Sequence, residues 1–291
     1  MTSKTTPVPN VVTLESVVIA HGLPYPQNLD TALGLEEVVK KAGSNPRTLG
    51  ILGGRLIDGL DRKQIVHMAT AEGIHKISRR NLSLARARRW DGATTVASSL
   101  WMSRFWGYEV FATGGIGGVH RGSEGDVSAD LPELARTPVL TFCAGAKSIL
   151  NLAATLEFLE TWGVPVIGLG TDEFPGFFYR NTGLAVDVAC DTVEEVADLW
   201  RMQREMPDPS GMLVAVPVPE AAELPKEEVE EAIQAALRAA QSAGLRSAAV
   251  TPFVMERVLQ ETAGRSLQTN LALLRNNAQA AALCAVALSE P

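Results

Sequence analysis

Lys147 carries the sharpest chemical signal in the chain. It follows an apolar run at 139–142 and a glycine-containing turn, and it precedes a helical pattern expected over 148–162. A lysine at a helix N-terminus sits where the dipole and apolar neighbours both disfavour a positive charge, so a nucleophilic amine able to form a Schiff base with a carbonyl is one reading. A surface lysine at a helix start is the other. His120, Asp126 and Asp130 lie close together in the preceding loop, and two carboxylates beside an imidazole suit a divalent cation such as Mg²⁺ or Mn²⁺. Asp130 serves equally as the cap of a helix starting near Leu131. Between them and the strand at 110–112, Thr113-Gly114-Gly115-Ile116-Gly117-Gly118 allows close backbone approach to a ligand and offers N–H groups to a phosphate. It is not a dinucleotide fingerprint, because His120 stands where the third glycine belongs and polar loop follows.

Two further groups answer to this stretch. Glu15 falls in an apolar run of Val, Leu and Ile, where a buried carboxylate needs a partner or a raised pKa suited to general acid or base work. The open face of an edge strand is the alternative. Lys76, followed by Ser78, Arg79 and Arg80, fits either a phosphate contact or a solvated basic turn. His21 follows the Glu15 strand and most simply bonds within its loop; His67 and His75 read as surface or structural residues.

The elements that must hold these residues alternate. Strands are expected at 11–20, 48–52, 74–78, 110–112, 139–142, 166–169, 186–190 and 212–216, and helices at 28–42, 61–72, 82–89, 94–106, 148–162, 192–205, 226–243, 252–263 and 267–288. In the helix at 94–106, Val96, Leu100 and Phe105 mark the apolar face. This alternation predicts an α/β fold, a three-layer α/β/α sandwich around a largely parallel mixed sheet. Ligands in such sheets collect beyond the carboxyl ends of the strands, where the residues above fall. One domain over 1–291 is expected, since no linker, repeat or low-complexity segment interrupts the chain.

Composition narrows the class. A net charge of −7 argues against a nucleic-acid partner, and the cluster Arg79, Arg80, Arg86, Arg88 and Arg89 reads as a solvated helix face. Three widely spaced cysteines, Cys143, Cys190 and Cys284, suggest neither a disulfide framework nor a CxxC metal site, which fits a reducing cytoplasm. The N-terminus lacks the apolar core of a signal peptide, and the final apolar run at 280–288 is too short to span a bilayer, so no membrane association is expected.

Ordered motifs through nearly the whole chain resemble the pseudouridine-5′-phosphate glycosidase family, also called indigoidine synthase A-like. They are LESVVIAHGLPYPQN from Leu14, ILGGRLIDGL from Ile51, HKISRRNL from His75, DGATTVASS from Asp91, FATGGIGGVHRG from Phe111, DVSADL from Asp126, CAGAKSIL from Cys143, GVPVIG from Gly163, TPF from Thr251 and SLQTNLALLRNNA from Ser266. The resemblance implies reversible cleavage of the carbon–carbon glycosidic bond of pseudouridine 5′-phosphate to uracil and ribose 5-phosphate, with Mn²⁺, in a homotrimer. It makes Lys147 the Schiff-base lysine, Glu15 the proton donor and Asp126 the metal ligand. His120 matches a histidine of the family site. Lys76, Val96, Thr113 and the run Ser128, Ala129 and Asp130 become substrate contacts, and Asn270 meets the base. A carbon–glycosidic bond offers no heteroatom leaving group to protonate, and a covalent amine supplies the missing electron sink. The near alternative is a synthase of the same family that joins ribose 5-phosphate to an aromatic aglycone. Trp101, Phe105 and Trp106 bear on that choice: they are either a core stripe or the wall of a pocket for a larger base.

Overall fold

The computed structural model describes residues 7–122, 125–245 and 250–290. The reading of residues 1–6, part of the loop between His120 and Asp126, and the Thr251 and Pro252 side chains of the TPF motif therefore lie outside what it describes.

Seven parallel strands form the central sheet: β1 (Val11–Leu14), β2 (Asn45–Thr48), β7 (Val110–Ala112), β9 (Leu140–Cys143), β11 (Val166–Leu169), β12 (Val188–Cys190) and β13 (Met212–Ala215), in the order β12-β11-β13-β9-β7-β1-β2. All four residues of β1 and of β9 are buried, the mark of strands covered on both faces. Phe111 and Phe142 are completely buried there, each adding about 1.5–3 kcal/mol of transfer free energy. The sheet is thus wholly parallel, within the layered α/β class expected from the alternation.

A second, four-stranded sheet was not foreseen: β3 (Gly50–Leu52), β4 (Arg55–Ile57), β5 (His75–Ile77) and β6 (Gly92–Thr94), in the order β4-β3-β6-β5. Its strands have three residues each, too short for periodicity to register. The single strand expected over 48–52 is two strands of different sheets. A hairpin-like pair, β8 (Val119–His120) with β10 (Leu150–Asn151), completes the β structure among the described residues.

The helices are α1 (Gln27–Lys41), α2 (Arg62–Thr70), α3 (Leu82–Arg88), α4 (Val96–Trp106), α5 (Asp130–Arg136), α6 (Leu152–Thr161), α7 (Val193–Glu205), α8 (Lys226–Ser242), α9 (Val250–Glu261) and α10 (Arg265–Ser289). Asp61 caps α2 as expected, accepting from Gln64 N–H while its own N–H donates to Gln64 Oε1. The expected strand over 11–20 ends at Leu14, and a π-helical turn occupies Val18–Gly22. α10 reaches well beyond the apolar run at 280–288. By length and composition it could cross a bilayer, yet half of its most apolar window is buried inside the fold, against α1, α7, β1, β7 and β9. It is a core helix.

One expectation about α4 is corrected. Phe105 is 54% exposed rather than on the buried face. Trp101, Phe105 and Trp106 cluster in the C-terminal half of the helix, with Trp101 and Phe105 stacked at 5.4 Å, whereas Val96 opens its first turn. At about 1.5 Å per residue the rings begin about 7.5 Å along the helix from that turn, and Trp101 and Trp106 pack against the cluster of Leu49, Ile51 and Ile77.

Candidate active site

In-register parallel pairing builds the site. Leu14 of β1 pairs with Ala112 of β7, and Ala112 with Phe142 of β9, so Glu15, Thr113 and Cys143 follow side by side at the carboxyl ends. The two glycine turns then continue the ladder. Thr113 N–H donates to Phe142 O (3.0 Å), Ala144 N–H to Gly114 O (2.9 Å), Ile116 N–H to Gly145 O (3.1 Å) and Lys147 N–H to Ile116 O (3.0 Å). That lattice, and not a helix dipole, fixes Lys147. α6 begins five residues later at Leu152, capped by Asn151, and the intervening Leu150–Asn151 is strand; the expected helix over 148–162 is corrected accordingly.

Glu15 is 8% exposed and follows β1, an interior strand of the sheet, so the edge-strand alternative falls. Thr113 Oγ1 donates to Glu15 Oε1, while Oε2 is buried without a partner among the described residues. Burial pushes the carboxyl above its ordinary 4.5, opposed by Lys147, the Thr113 hydroxyl and Lys76 and reinforced by Asp130. Burial favours the protonated form of this carboxyl, and with one oxygen free it is arranged to deliver a proton.

Lys76 arrives from the second sheet. Lys76 pairs with Ala93 and Ile77 with Thr94 in the β5–β6 ladder, and Thr94 is fastened to the end of β1: its N–H donates to Ser16 Oγ (2.9 Å) while Ser16 N–H donates to Thr94 Oγ1 (3.2 Å). Lost hydration first, and then Lys147, lower Lys76 below its ordinary 10.5, with Asp130 and Glu15 acting in the opposite sense. Lys76 keeps contact with solvent, which screens these effects. Its neighbour Arg79 is not merely solvated: it lies 3.6 Å from the buried Glu133 and 4.8 Å over the Trp101 ring. Arg80, Arg86, Arg88 and Arg89 are exposed as expected.

Asp130 does not cap its own helix, whose N-cap is Ala129. Its carboxylate instead accepts from Ala97 N–H (3.0 Å) in the first turn of α4, beside the buried Val96, and from Gly117 N–H (2.8 Å) in the glycine turn. Ser128 Oγ accepts from Asp130 N–H (3.2 Å). A Cβ on Gly117 would stand 2.1 Å from that Ser128 oxygen, so this close approach requires glycine. Asn270 borders the same floor, its Oδ1 3.5 Å from where a Cβ on Gly114 would lie.

His120 and Asp126 oppose each other across a narrow antiparallel turn. His120 N–H donates to Asp126 O (3.0 Å) beside the Val119–Val127 bridge, and directly opposed residues carry side chains on one face. Among the described residues no three His, Cys, Asp or Glu side chains converge as a metal cage. The donor set fits a hard cation held by one carboxylate and otherwise by water or substrate oxygens. Cys143 does not compete as a nucleophile, since burial pushes its thiol up to about 12.

Three residues escaped the reading of the sequence. Arg121 bonds Leu150 O (3.0 Å) and Ser148 O (2.9 Å) behind Lys147 and forks onto Glu230 of α8 (2.6 and 3.0 Å), which also accepts from Tyr179 OH (2.8 Å). Thr95 Oγ1, at the start of α4, is buried without a partner among the described residues. Asn277 of α10 donates to Thr113 O (2.8 Å) and Gly114 O (3.2 Å). All three lie inside the motifs quoted above, Thr95 in DGATTVASS, Arg121 in FATGGIGGVHRG and Asn277 in SLQTNLALLRNNA, but spacing attaches no role to any of them. His21 bonds not within its own loop but at the Ile74 backbone, His67 pairs with Asp91 at 2.7 Å, and His75 stacks on Trp90 at 4.1 Å.

Comparison with known proteins converges on one family. The model for indigoidine synthase A like protein matches residues 3–287. The pseudouridine-5′-phosphate glycosidase of Chloroflexus aurantiacus is 50% identical over 286 residues, covering 96% of this chain and 94% of that one. The same enzyme of Herpetosiphon aurantiacus is 50% identical over 280 residues, covering 96% and 92%. Among solved structures, an indigoidine synthase A-like protein from Thermotoga maritima superposes with a TM-score of 0.90 at 35% identity, covering 97% of this chain and 94% of that one. The prealnumycin C-glycosynthase AlnA in complex with ribulose 5-phosphate does so with a TM-score of 0.90 at 36% identity, covering 97% and 92%.

Proposed function

The chain belongs to the indigoidine synthase A-like family, and from that membership we propose that it reversibly cleaves pseudouridine 5′-phosphate to uracil and ribose 5-phosphate through a Schiff base on Lys147. The observation that carries the proposal is the buried Glu15 carboxyl, bonded by Thr113 at one oxygen and free at the other, within electrostatic reach of Lys147, Lys76 and Asp130. In the cleavage direction the Lys147 amine bonds to the anomeric carbon, and the ring carbon–oxygen bond breaks, its oxygen taking the amine's proton. Glu15 Oε2 then gives a proton to the base carbon. The electron pair of the carbon–carbon bond leaves with uracil while the nitrogen lone pair closes the C=N bond. Water hydrolyses the resulting Schiff base, releasing ribose 5-phosphate and returning a proton to Glu15.

Lys76 holds the phosphate, with the Thr95 hydroxyl and the backbone at Val96 beside it, so that binding energy remote from the reacting carbon orients the sugar. Ser128, Ala129 and Asp130 border the sugar, Asp130 chiefly by locking the glycine turn to α4. Asn270 meets the base above Gly114. Asp126 would hold Mn²⁺, with His120 on the same face, and the ion would supply electrostatic stabilisation of negative charge. A homotrimer covers the exposed rings of Phe105 and Trp162, more than half accessible in the single chain. Three unpaired, buried cysteines suit a reducing cytoplasm.

The test is release of uracil from pseudouridine 5′-phosphate by the Mn²⁺-loaded protein. Release supports the glycosidase reading. Joining of ribose 5-phosphate to an aromatic aglycone, with no release of uracil, would favour the C-glycosynthase reading that the likeness to AlnA supports.

A further inference from the structure

Asn277 meets no substrate atom in the proposed reaction, yet its side chain reaches into the site from the middle of α10. It is completely buried, and its amide donates to two successive carbonyls, Thr113 O at 2.8 Å and Gly114 O at 3.2 Å. Both neighbours are acceptors, so only an NH₂ group satisfies them, and aspartate or a hydrophobic residue of the same size cannot. Asn277 Oδ1 meanwhile is buried without a partner among the described residues. An amide that leaves its own acceptor unpaired in order to fix two backbone carbonyls is organised around those carbonyls.

One of them belongs to Thr113, whose hydroxyl donates to Glu15 Oε1. A hydroxyl has a single proton to give. When Thr113 spends it on Oε1, the acid proton of Glu15 is left to Oε2, the oxygen with no other partner. The same stripe of α10 that brings Asn277 to Thr113 brings Leu273, Leu274 and Asn270 against Gly114, so helix and turn are set as one unit.

We infer that Asn277 is a positioning residue for the proton donor: by pinning the Thr113–Gly114 backbone it aims the Thr113 hydroxyl at Oε1 and keeps the proton of Glu15 on Oε2, facing the base carbon. The inference rests on the reading of Glu15 as proton donor. It also gives Thr113 a role at the acid in place of a substrate contact. The charged groups facing Glu15 are Lys147, Lys76 and Asp130, and none of them bonds Asn277 among the described residues.

The experiment compares pH profiles of kcat for uracil release in the wild type, Asn277→Leu, Thr113→Val, Thr113→Ser and the double variant Asn277→Leu/Thr113→Val, with borohydride trapping of ribose 5-phosphate run alongside. The Thr113 hydrogen bond lowers the Glu15 pKa, so losing it moves the Glu15 limb to higher pH. Thr113→Val and Asn277→Leu both show that shift, with kcat lower by about tenfold or more, KM within about twofold and an undiminished trapped adduct. Thr113→Ser keeps the wild-type limb, and the double variant is no worse than Thr113→Val. An unmoved limb in Thr113→Val overturns the proposal. So does an Asn277→Leu protein that merely melts lower with its limb unmoved, or one whose shift adds in full to that of Thr113→Val. Asn277→Ala replaces Asn277→Leu if leucine prevents folding, with the same criteria. A wild type that releases no uracil removes the parent reading and this one with it, whereas release with unmoved limbs removes this one alone.

Discussion

Glu15 and Thr113 stand next to each other beyond the last paired residues of two parallel strands, and the Thr113 hydroxyl donates to one oxygen of a Glu15 carboxyl whose other oxygen has no partner among the described residues. Strand register thus places the acid beside a hydroxyl that engages one of its oxygens and leaves the other open.

Glu15→Gln keeps the shape of this acid and removes its proton. Uracil release falls by about a hundredfold or more, while borohydride trapping of ribose 5-phosphate persists, because capture of the sugar precedes protonation of the base. The same substitution has a signature in stability. Burial raises the Glu15 pKa above 4.5, so the folded protein holds this proton more tightly than the unfolded chain. The stability so gained is complete below 4.5 and is lost as pH rises through the raised value. Thermal melts from pH 4.5 toward neutrality therefore fall less steeply for Glu15→Gln than for the wild type.

Asp130→Asn removes one of the two acceptors that clamp Ala97 N–H and Gly117 N–H, and turns an NH₂ group toward a backbone N–H. The expected cost is about 1–3 kcal/mol of stability, read by denaturant unfolding. KM for the phosphorylated substrate rises as the α4 turn and the glycine turn separate.

Gly117→Ala forces a Cβ to within 2.1 Å of Ser128 Oγ and 2.8 Å of Asp130 Oδ2. Overpacking here costs about 1–3 kcal/mol, and steady-state assays show an activity loss larger than the drop in Tm accounts for. Gly125→Ala, with open space around the new methyl, is the control and leaves both unchanged.

Removal of metal by a chelator abolishes uracil release, and Mn²⁺ restores it. Asp126→Asn shifts the Mn²⁺ concentration for half-maximal rescue upward by about tenfold or more, as loss of a single carboxylate from a sparse site demands. Titration of activity against Mn²⁺ measures it.

The alternation of apolar runs with helical patterns makes the layered α/β fold legible, and residue type marks Lys147 and Glu15. Lys147 does not, however, stand at a helix N-terminus. A two-residue strand, Leu150–Asn151, separates it from α6, and no periodicity reveals so short an element. The same limit hid the second sheet and split the strand expected over 48–52. Asp130 looked like a local cap because spacing reports neighbours in sequence, whereas its partners, Ala97 and Gly117, arrive through tertiary packing. Asn277 and Arg121 stand inside recognisable motifs, but they act through such contacts, so their roles emerge only in the folded chain.

The covalent bond from Lys147 to the sugar is the step on which the rest of the proposed chemistry depends. Incubating the protein with ribose 5-phosphate and borohydride, then digesting it and mapping the adduct by mass spectrometry, tests this most directly. The account predicts one reduced sugar-phosphate adduct on Lys147, absent from Lys147→Ala. A protein that releases uracil but carries no adduct, or carries it on another lysine such as Lys76, would contradict it.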